Sequence, residues 1–217
     1  MLLSHDKAVE RFRASGNKAK IGIVVDLWNR VPLDETSEAD KELAPKQNAL
    51  AHGNYLRPIF SGRYDERLCA HLKEKNIDLG IKNGDLELIS APLDFYGLNC
   101  YNRVVVSATG ADVRKAISQN GGNFLQNGNE FYPDAIYDAV KIIREEYSVN
   151  IPIYITENGV GFENESEING VINDEERIRY LQGSFRGIER ANAEDWISTD
   201  IIFGRFWIIS NEMQAIR

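Results

Sequence analysis

Glu157 is the residue in this chain best placed to do chemistry. It follows a short apolar run, Ile151-Pro-Ile-Tyr-Ile-Thr156, and precedes Asn158-Gly159. A carboxylate at the C-terminal end of a strand, ahead of a glycine-bearing turn, sits where α/β barrels keep catalytic groups. It could act as nucleophile or as acid/base, although position alone fits an ordinary acidic loop residue as well. Asn99 and Tyr101 lie two residues apart at the end of a second apolar run, Phe95 to Tyr101. Strand periodicity turns both side chains to one side. A phenol and an amide there can bond a carboxylate or a sugar hydroxyl, while capping of the strand edge is their plainer role. Cys69, Cys100, His5, His52 and His71 are too few and too scattered for a zinc site. Both thiols read as buried side chains in a reducing cytoplasm.

The elements that must position these groups alternate between apolar runs and helical stripes, the pattern of parallel β/α units. Lys20 to Leu27 reads as a fully buried strand, nearly every residue being apolar. Leu2 to Arg13 has helical spacing at Leu2, Ala8 or Val9, and Phe12. Ile151 to Thr156 forms a third strand, with Pro152 confined to its first residues. Ile136, Val140, Ile143 and Tyr147 predict a helix from Pro133 onward. Ile178, Leu181, Phe185 and Ile188 predict the apolar stripe of another from Asp174, opened by an Asn173/Glu176 capping box. Ser107 to Asn129, rich in Gly and Asn, reads as a long surface loop. Three parallel strands would leave exposed edges, so the chain reads as half of something larger.

Composition narrows the function classes. The 217 residues are 43% hydrophobic, enough for a sizeable core. Lys plus Arg number 25 against 33 Asp plus Glu, a formal charge of −8, which argues against nucleic acid or an anionic membrane as partner. No run has the apolar length of a membrane span and the opening residues do not form a signal peptide, so a cytoplasmic protein is expected. Asn164-Glu165-Ser166 fits a glycosylation acceptor and is taken as coincidence.

Longer motifs carry a resemblance. Ile151 to Gly159 resembles the nucleophile motif of family 1 glycoside hydrolases, the β-glucosidase family. Asp94 to Tyr101 is similar to that family's sixth barrel strand, Asp-Phe-x-Gly-x-Asn-Tyr-Tyr. Asn54 to Tyr64 resembles its Pro-Ile-Phe-x-Gly-x-Tyr segment, Asn129 to Pro133 its Trp-Glu-x-Tyr-Pro turn, and Asp174 to Leu181 its Asp-x-x-Arg-x-x-Tyr-Leu helix. The resemblance runs in the family's order from residue 1 to about 193. It implies a (β/α)8 TIM-barrel ancestry, here about the second half of the barrel, and retaining hydrolysis of a β-glucoside or related sugar without metal or cofactor. Carried over, Glu157 would be the nucleophile, Tyr101 would orient its carboxylate, and Asn99 would shape the sugar site. Cys100 replaces a tyrosine and should face away from the site. Asn129 stands where Trp is usual and Ser184 where His often is, both expected to loosen packing.

The family's acid/base sits in an Asn-Glu-Pro motif, and none occurs in these residues. Met1 falls in the helix after the fourth strand, so the acid/base is expected to be absent from this chain and its activity low. Residues 194–217 do not match the family's eighth strand. Back-translated and read from the third nucleotide of each codon, Thr199 to Glu212 permits Gly-Tyr-Tyr-Phe-Trp-Ser-Leu-Leu-Asp-Asn-Phe-Glu. A frameshift near Glu194 or Asp195 is therefore expected, and an in-frame gene with other codons would exclude it. The alternative is a non-catalytic remnant with weak sugar binding, or a half-barrel that self-associates as a homodimer or pairs with a complementing N-terminal fragment.

Overall fold

The structure of the protein, a computed structural model, describes residues 1–125, 127–161 and 167–196. Helix α1 (Leu2–Ala14) leads into β1 (Gly22–Asp26) and a short β2 (Arg30–Pro32). Helix α2 (Glu38–Asn48) passes through a π-helical turn, Ala49–Gly53, into α3 (Asn54–Ser61), followed by α4 (Glu66–Glu74) and α5 (Asp85–Ile89). Next come β3 (Phe95–Asn99), β4 (Val104–Val106), α6 (Val113–Gln119), α7 (Ala135–Glu145) and β5 (Ile153–Glu157). A small antiparallel pair, β6 (Glu167–Ile168) and β7 (Val171–Ile172), precedes α8 (Glu175–Ala193).

The three expected strands form one parallel sheet in the order β1-β3-β5. Helices intervene between consecutive strands, as parallel pairing requires. Tyr96, Leu98 and Cys100 on one side of β3, with Ile153 and Ile155 of β5, form a core with Ile136, Val140 and Ile143 of α7. The Tyr96 hydroxyl reaches this core only because it donates to the Val25 carbonyl at 3.0 Å. On the opposite face Gly97 lies between side chains of both neighbouring strands. A Cβ there would stand 2.7 Å from Val24 Cγ2 and 3.0 Å from Thr156 Cγ2, so the position admits only glycine.

Four expectations need correction. The strand read as fully buried is covered on one face only: Val25 is buried while Val24 is 48% exposed and Asp26 is exposed. Helices cover one face of the sheet, and among the described residues no strand pairs with the outer edge of β1 or of β5. The stretch from Ser107 to Asn129 is not loop throughout. It contains α6, whose Asp112 cap accepts from Lys115 N at 3.0 Å; none of its residues is buried, so no apolar stripe announces it. The apolar stripe read on α8 is misplaced, since Ile178 is 51% and Phe185 42% exposed. The buried face is Tyr180, Gly183, Ser184, Gly187, Ile188 and Ala191, and the cap position falls on Asp174 rather than on Asn173 of the expected capping box, with no side-chain capping bond from Asp174. Of the two cysteines Cys100 is buried as expected, but Cys69 is exposed. A second parallel pair, β2 with β4, also formed from segments too short to show periodicity. Asn164 and nearly all of the non-matching tail, residues 197–217, lie outside the described residues.

His52 is fully buried in the π-helical turn. Its Nε2 lies 3.0 Å from Asn48 Oδ1 and its Nδ1 3.2 Å from the Tyr147 hydroxyl. Asn48 Oδ1 can only accept, and already accepts from Arg30 N, so the ring carries its proton on Nε2 and Tyr147 donates to Nδ1. Burial, with Arg30 nearby, lowers the His52 pKa to about 4. The folded value lies below the unfolded one, so the stability tied to neutral His52 is present above the unfolded value and is lost as pH falls. The linkage corresponds to about 2 kcal/mol between pH ~7.5 and ~5. Urea unfolding across that range should show the loss, and a His52→Gln variant should lack it. An unchanged pH slope in the variant would rule out His52 as its source.

Candidate active site

Strands β3 and β5 end side by side, and their last residues diverge from simple pairing. The register is irregular between Leu98 and Asn99, which brings Asn99 opposite Glu157. Cys100 N then donates to the Glu157 carbonyl at 3.0 Å, continuing the ladder past the strand ends. This geometry lays Tyr101 across the end of β5, where its hydroxyl donates to the Glu157 carboxylate. Burial, reinforced by that carboxylate, pushes the Tyr101 phenol well above its ordinary value, so it remains a donor at any working pH. Asn99 sits beside this contact but bonds elsewhere: its Oδ1 accepts from Thr156 Oγ1 at 2.7 Å.

Two further residues hold the loops that carry these groups. Asn158 Nδ2 donates to the Cys100 carbonyl at 2.8 Å and to the Tyr180 hydroxyl at 3.0 Å. The Tyr180 hydroxyl donates to the Tyr101 carbonyl at 2.6 Å, so α8 clamps both strand ends. Gly159 follows at φ 147°, a conformation that favours glycine and turns the chain sharply after Asn158. Asn158 and Tyr180 belong to the recognised motifs, but spacing gave neither a role, because their contacts cross from one element to another.

The site opens into a cavity of about 230 Å³ lined by Trp28, Tyr101, Glu157 and Tyr180, among others. Glu130 also lines it, yet both its oxygens are taken by Arg103, Nε at 3.0 Å and Nη2 at 2.7 Å. The Arg103 guanidinium in turn lies 3.8 Å from the Tyr132 ring centre. Glu130, held by Arg103, thus fixes the Asn129-to-Pro133 turn at the edge of the cavity. Trp28 was missed on the sequence, although Asp26 and Trp28 repeat at the end of β1 the two-residue spacing of Asn99 and Tyr101. Among the described residues no group of three or more His, Cys, Asp or Glu is placed to hold a metal ion, and no helix is long and apolar enough to cross a membrane.

Beta-glucosidase A of Acetivibrio thermocellus is 35% identical over 196 residues, which covers 88% of this chain and 43% of that protein. A 6-phospho-beta-galactosidase of Clostridium acetobutylicum is 28% identical over 221 residues, covering 89% of this chain and 46% of its own length. The crystal structure of a beta-glucosidase from Exiguobacterium marinum superposes with a TM-score of 0.77 at 28% identity, over 90% of this chain and 45% of that one. The chain thus spans less than half the length of the relatives it matches. A model of glycosyl hydrolase family 1 matches residues 1–200, and together with the strand-end geometry it shows that the chain belongs to that family.

Proposed function

We propose that this chain carries the nucleophile half of a retaining β-glycosidase site, with Glu157 as nucleophile, Tyr101 as its orienting donor and Asn99 shaping the sugar pocket. The observation that carries the reading is the Tyr101 hydroxyl on the Glu157 carboxylate, at the C-terminal ends of adjacent parallel strands. In a retaining reaction a carboxylate oxygen attacks the anomeric carbon, the aglycone leaves, and water later releases the sugar. The attacking oxygen must be ionised and aimed, and a protonated phenol meets both needs. The open sheet corresponds to the later strands of a (β/α)8 barrel, with β1, β3 and β5 in consecutive positions.

Retaining enzymes use a second carboxyl as general acid, and no Asn-Glu-Pro occurs in the 217 residues. For these 217 residues assayed alone, protonation of the leaving oxygen falls to water, the rate on unactivated glycosides drops by on the order of 10²–10⁴-fold, and activity is expected mainly on substrates with good leaving groups. The relatives include both plain and 6-phosphorylated glycoside hydrolases, so aryl β-glucoside and its 6-phosphate belong in the same assay. The plain glucoside is the proposed substrate class.

A 2-deoxy-2-fluoro-glucoside bearing a dinitrophenolate leaving group tests this directly, since it needs the nucleophile and little acid assistance. Intact mass should rise by one fluoroglucosyl group, and peptide mapping should place it on Glu157. A folded protein with no adduct, or with the adduct elsewhere, would sink the reading.

Val24, 48% exposed on the sheet face that helices leave uncovered, favours a second reading alongside the first, self-association through that face. Sedimentation velocity across a concentration series should then show a dimer, whereas a monomer throughout would exclude it.

A further inference from the structure

Asp26 ends β1 in register with Asn99, which is itself in register with Glu157, so the three strands carry a row of polar groups across one end of the sheet. Asp26 Oδ1 accepts from Trp28 Nε1 at 3.0 Å. The Trp28 ring lies 5.9 Å from the Tyr101 ring, tilted at 52°. Tyr101 completes the series by donating to Glu157. Trp28 also stands between two cavities, the one of about 230 Å³ that holds Glu157 and one of about 540 Å³ that holds Asp26. An indole in that place forms a wall of both, and its orientation depends on the one polar contact given to its N–H.

We propose that Asp26 is a positioning residue for Glu157, acting through Trp28 and Tyr101. The carboxylate fixes the indole by its N–H, the indole braces the Tyr101 ring, and the Tyr101 hydroxyl aims the Glu157 oxygen. The inference rests on the reading of Glu157 as nucleophile. A purely structural role would require Asp26 to support the fold, but the residue is exposed and its carboxylate accepts from Trp28 on its own segment rather than from a helix. The charged and polar groups that act on it are Trp28 and Arg30 on its own segment and Glu157 from β5, and its charge in turn is felt by Tyr101. Partial desolvation at the strand end and the Glu157 charge raise the Asp26 pKa against the opposing Trp28 bond and Arg30. Asp26 therefore feels the Glu157 charge as well as being linked to it through the rings.

The experiment combines labelling kinetics with a titration that needs no activity. Asp26→Ala and Trp28→Phe each remove the same hydrogen bond, by its acceptor and its donor respectively. Each should slow fluoroglucoside labelling of Glu157 about 3- to 10-fold, the range for one hydrogen bond. The double variant should be no slower than the more affected single one, because both break one relay. In parallel, the Trp28 indole N–H resonance of the wild-type chain should titrate with Asp26, and a Glu157→Gln variant should move that midpoint downward. Unchanged labelling in Asp26→Ala, or rate losses that multiply in the double variant, would overturn the proposal. So would an indole resonance whose midpoint is indifferent to Glu157→Gln. If the wild-type chain takes no label, the nucleophile reading fails on its own, and the titration still decides whether Asp26 is coupled to Glu157.

Discussion

A Glu157→Gln variant is expected to take no fluoroglucosyl adduct within the time that labels the wild-type chain completely. The amide keeps the shape of the side chain and can still accept from the Tyr101 hydroxyl, but it has no ionised oxygen to bond the anomeric carbon. Tyr101→Phe should be milder. It deletes one hydrogen bond to a charged acceptor, a loss of about 10- to 100-fold in labelling rate. The order of the two effects matters more than their size. If the nucleophile reading is right, Gln must abolish labelling and Phe must only slow it. Circular dichroism should find both variants folded, because Glu157 is exposed and neither change reaches the core around Tyr96 and Ile155. Labelling that survives in Glu157→Gln would mean another carboxylate reacts and would remove Glu157 from the mechanism.

The largest effect on stability is expected at Gly183, in the middle of α8. A Cβ there would meet Pro133 Cβ at 2.8 Å and the tip of the Phe131 ring at 3.3 Å. At Gly187, one turn on, an added Cβ would stand 3.2 Å from the Pro133 carbonyl oxygen. The helix thus docks backbone-first on the turn before α7, using small residues where a larger side chain would hold it off. For a Gly183→Leu variant two effects compete. Helix propensity favours Leu over Gly by about 0.8 kcal/mol. Overpacking against a proline that cannot move aside opposes it by about 3 kcal/mol, the upper end of the usual range. The variant should therefore be destabilised in urea, whereas an isolated helix would gain. Ile178→Ser supplies the contrast. Ile178 lies on the stripe that periodicity points inward, yet it is 51% exposed, and its replacement should change stability by no more than about 0.5 kcal/mol. The reverse ranking would mean that α8 is buried on its Ile178 side.

Ranking these two positions shows where sequence reasoning stops. On α7 the apolar stripe and the buried face coincide, because Ile136, Val140 and Ile143 meet a sheet that has room for large side chains. On α8 the partner is a turn pressed close to the axis, so glycine, serine and alanine are buried and Ile178 and Phe185 are displaced outward. Periodicity records which residues are apolar and has no information about the distance of the surface they face.

The sequence by itself determined the three parallel strands, the two long helices around them and the identity of the carboxylate at the end of β5. Each is a local consequence of apolar runs, periodicity and a specific motif. Only the tertiary structure decided what surrounds that carboxylate. The irregularity at Leu98 and Asn99 turns Tyr101 onto Glu157, and Tyr180, from α8 some twenty residues further on, clamps the two strand ends through Asn158 and the Tyr101 carbonyl. It also placed Asp26 and Trp28, from the far strand, against Tyr101. These contacts join segments up to 131 positions apart, Asp26 to Glu157. Such contacts are set by the register of one strand on the next, a property of the folded sheet that no stretch of chain carries alone.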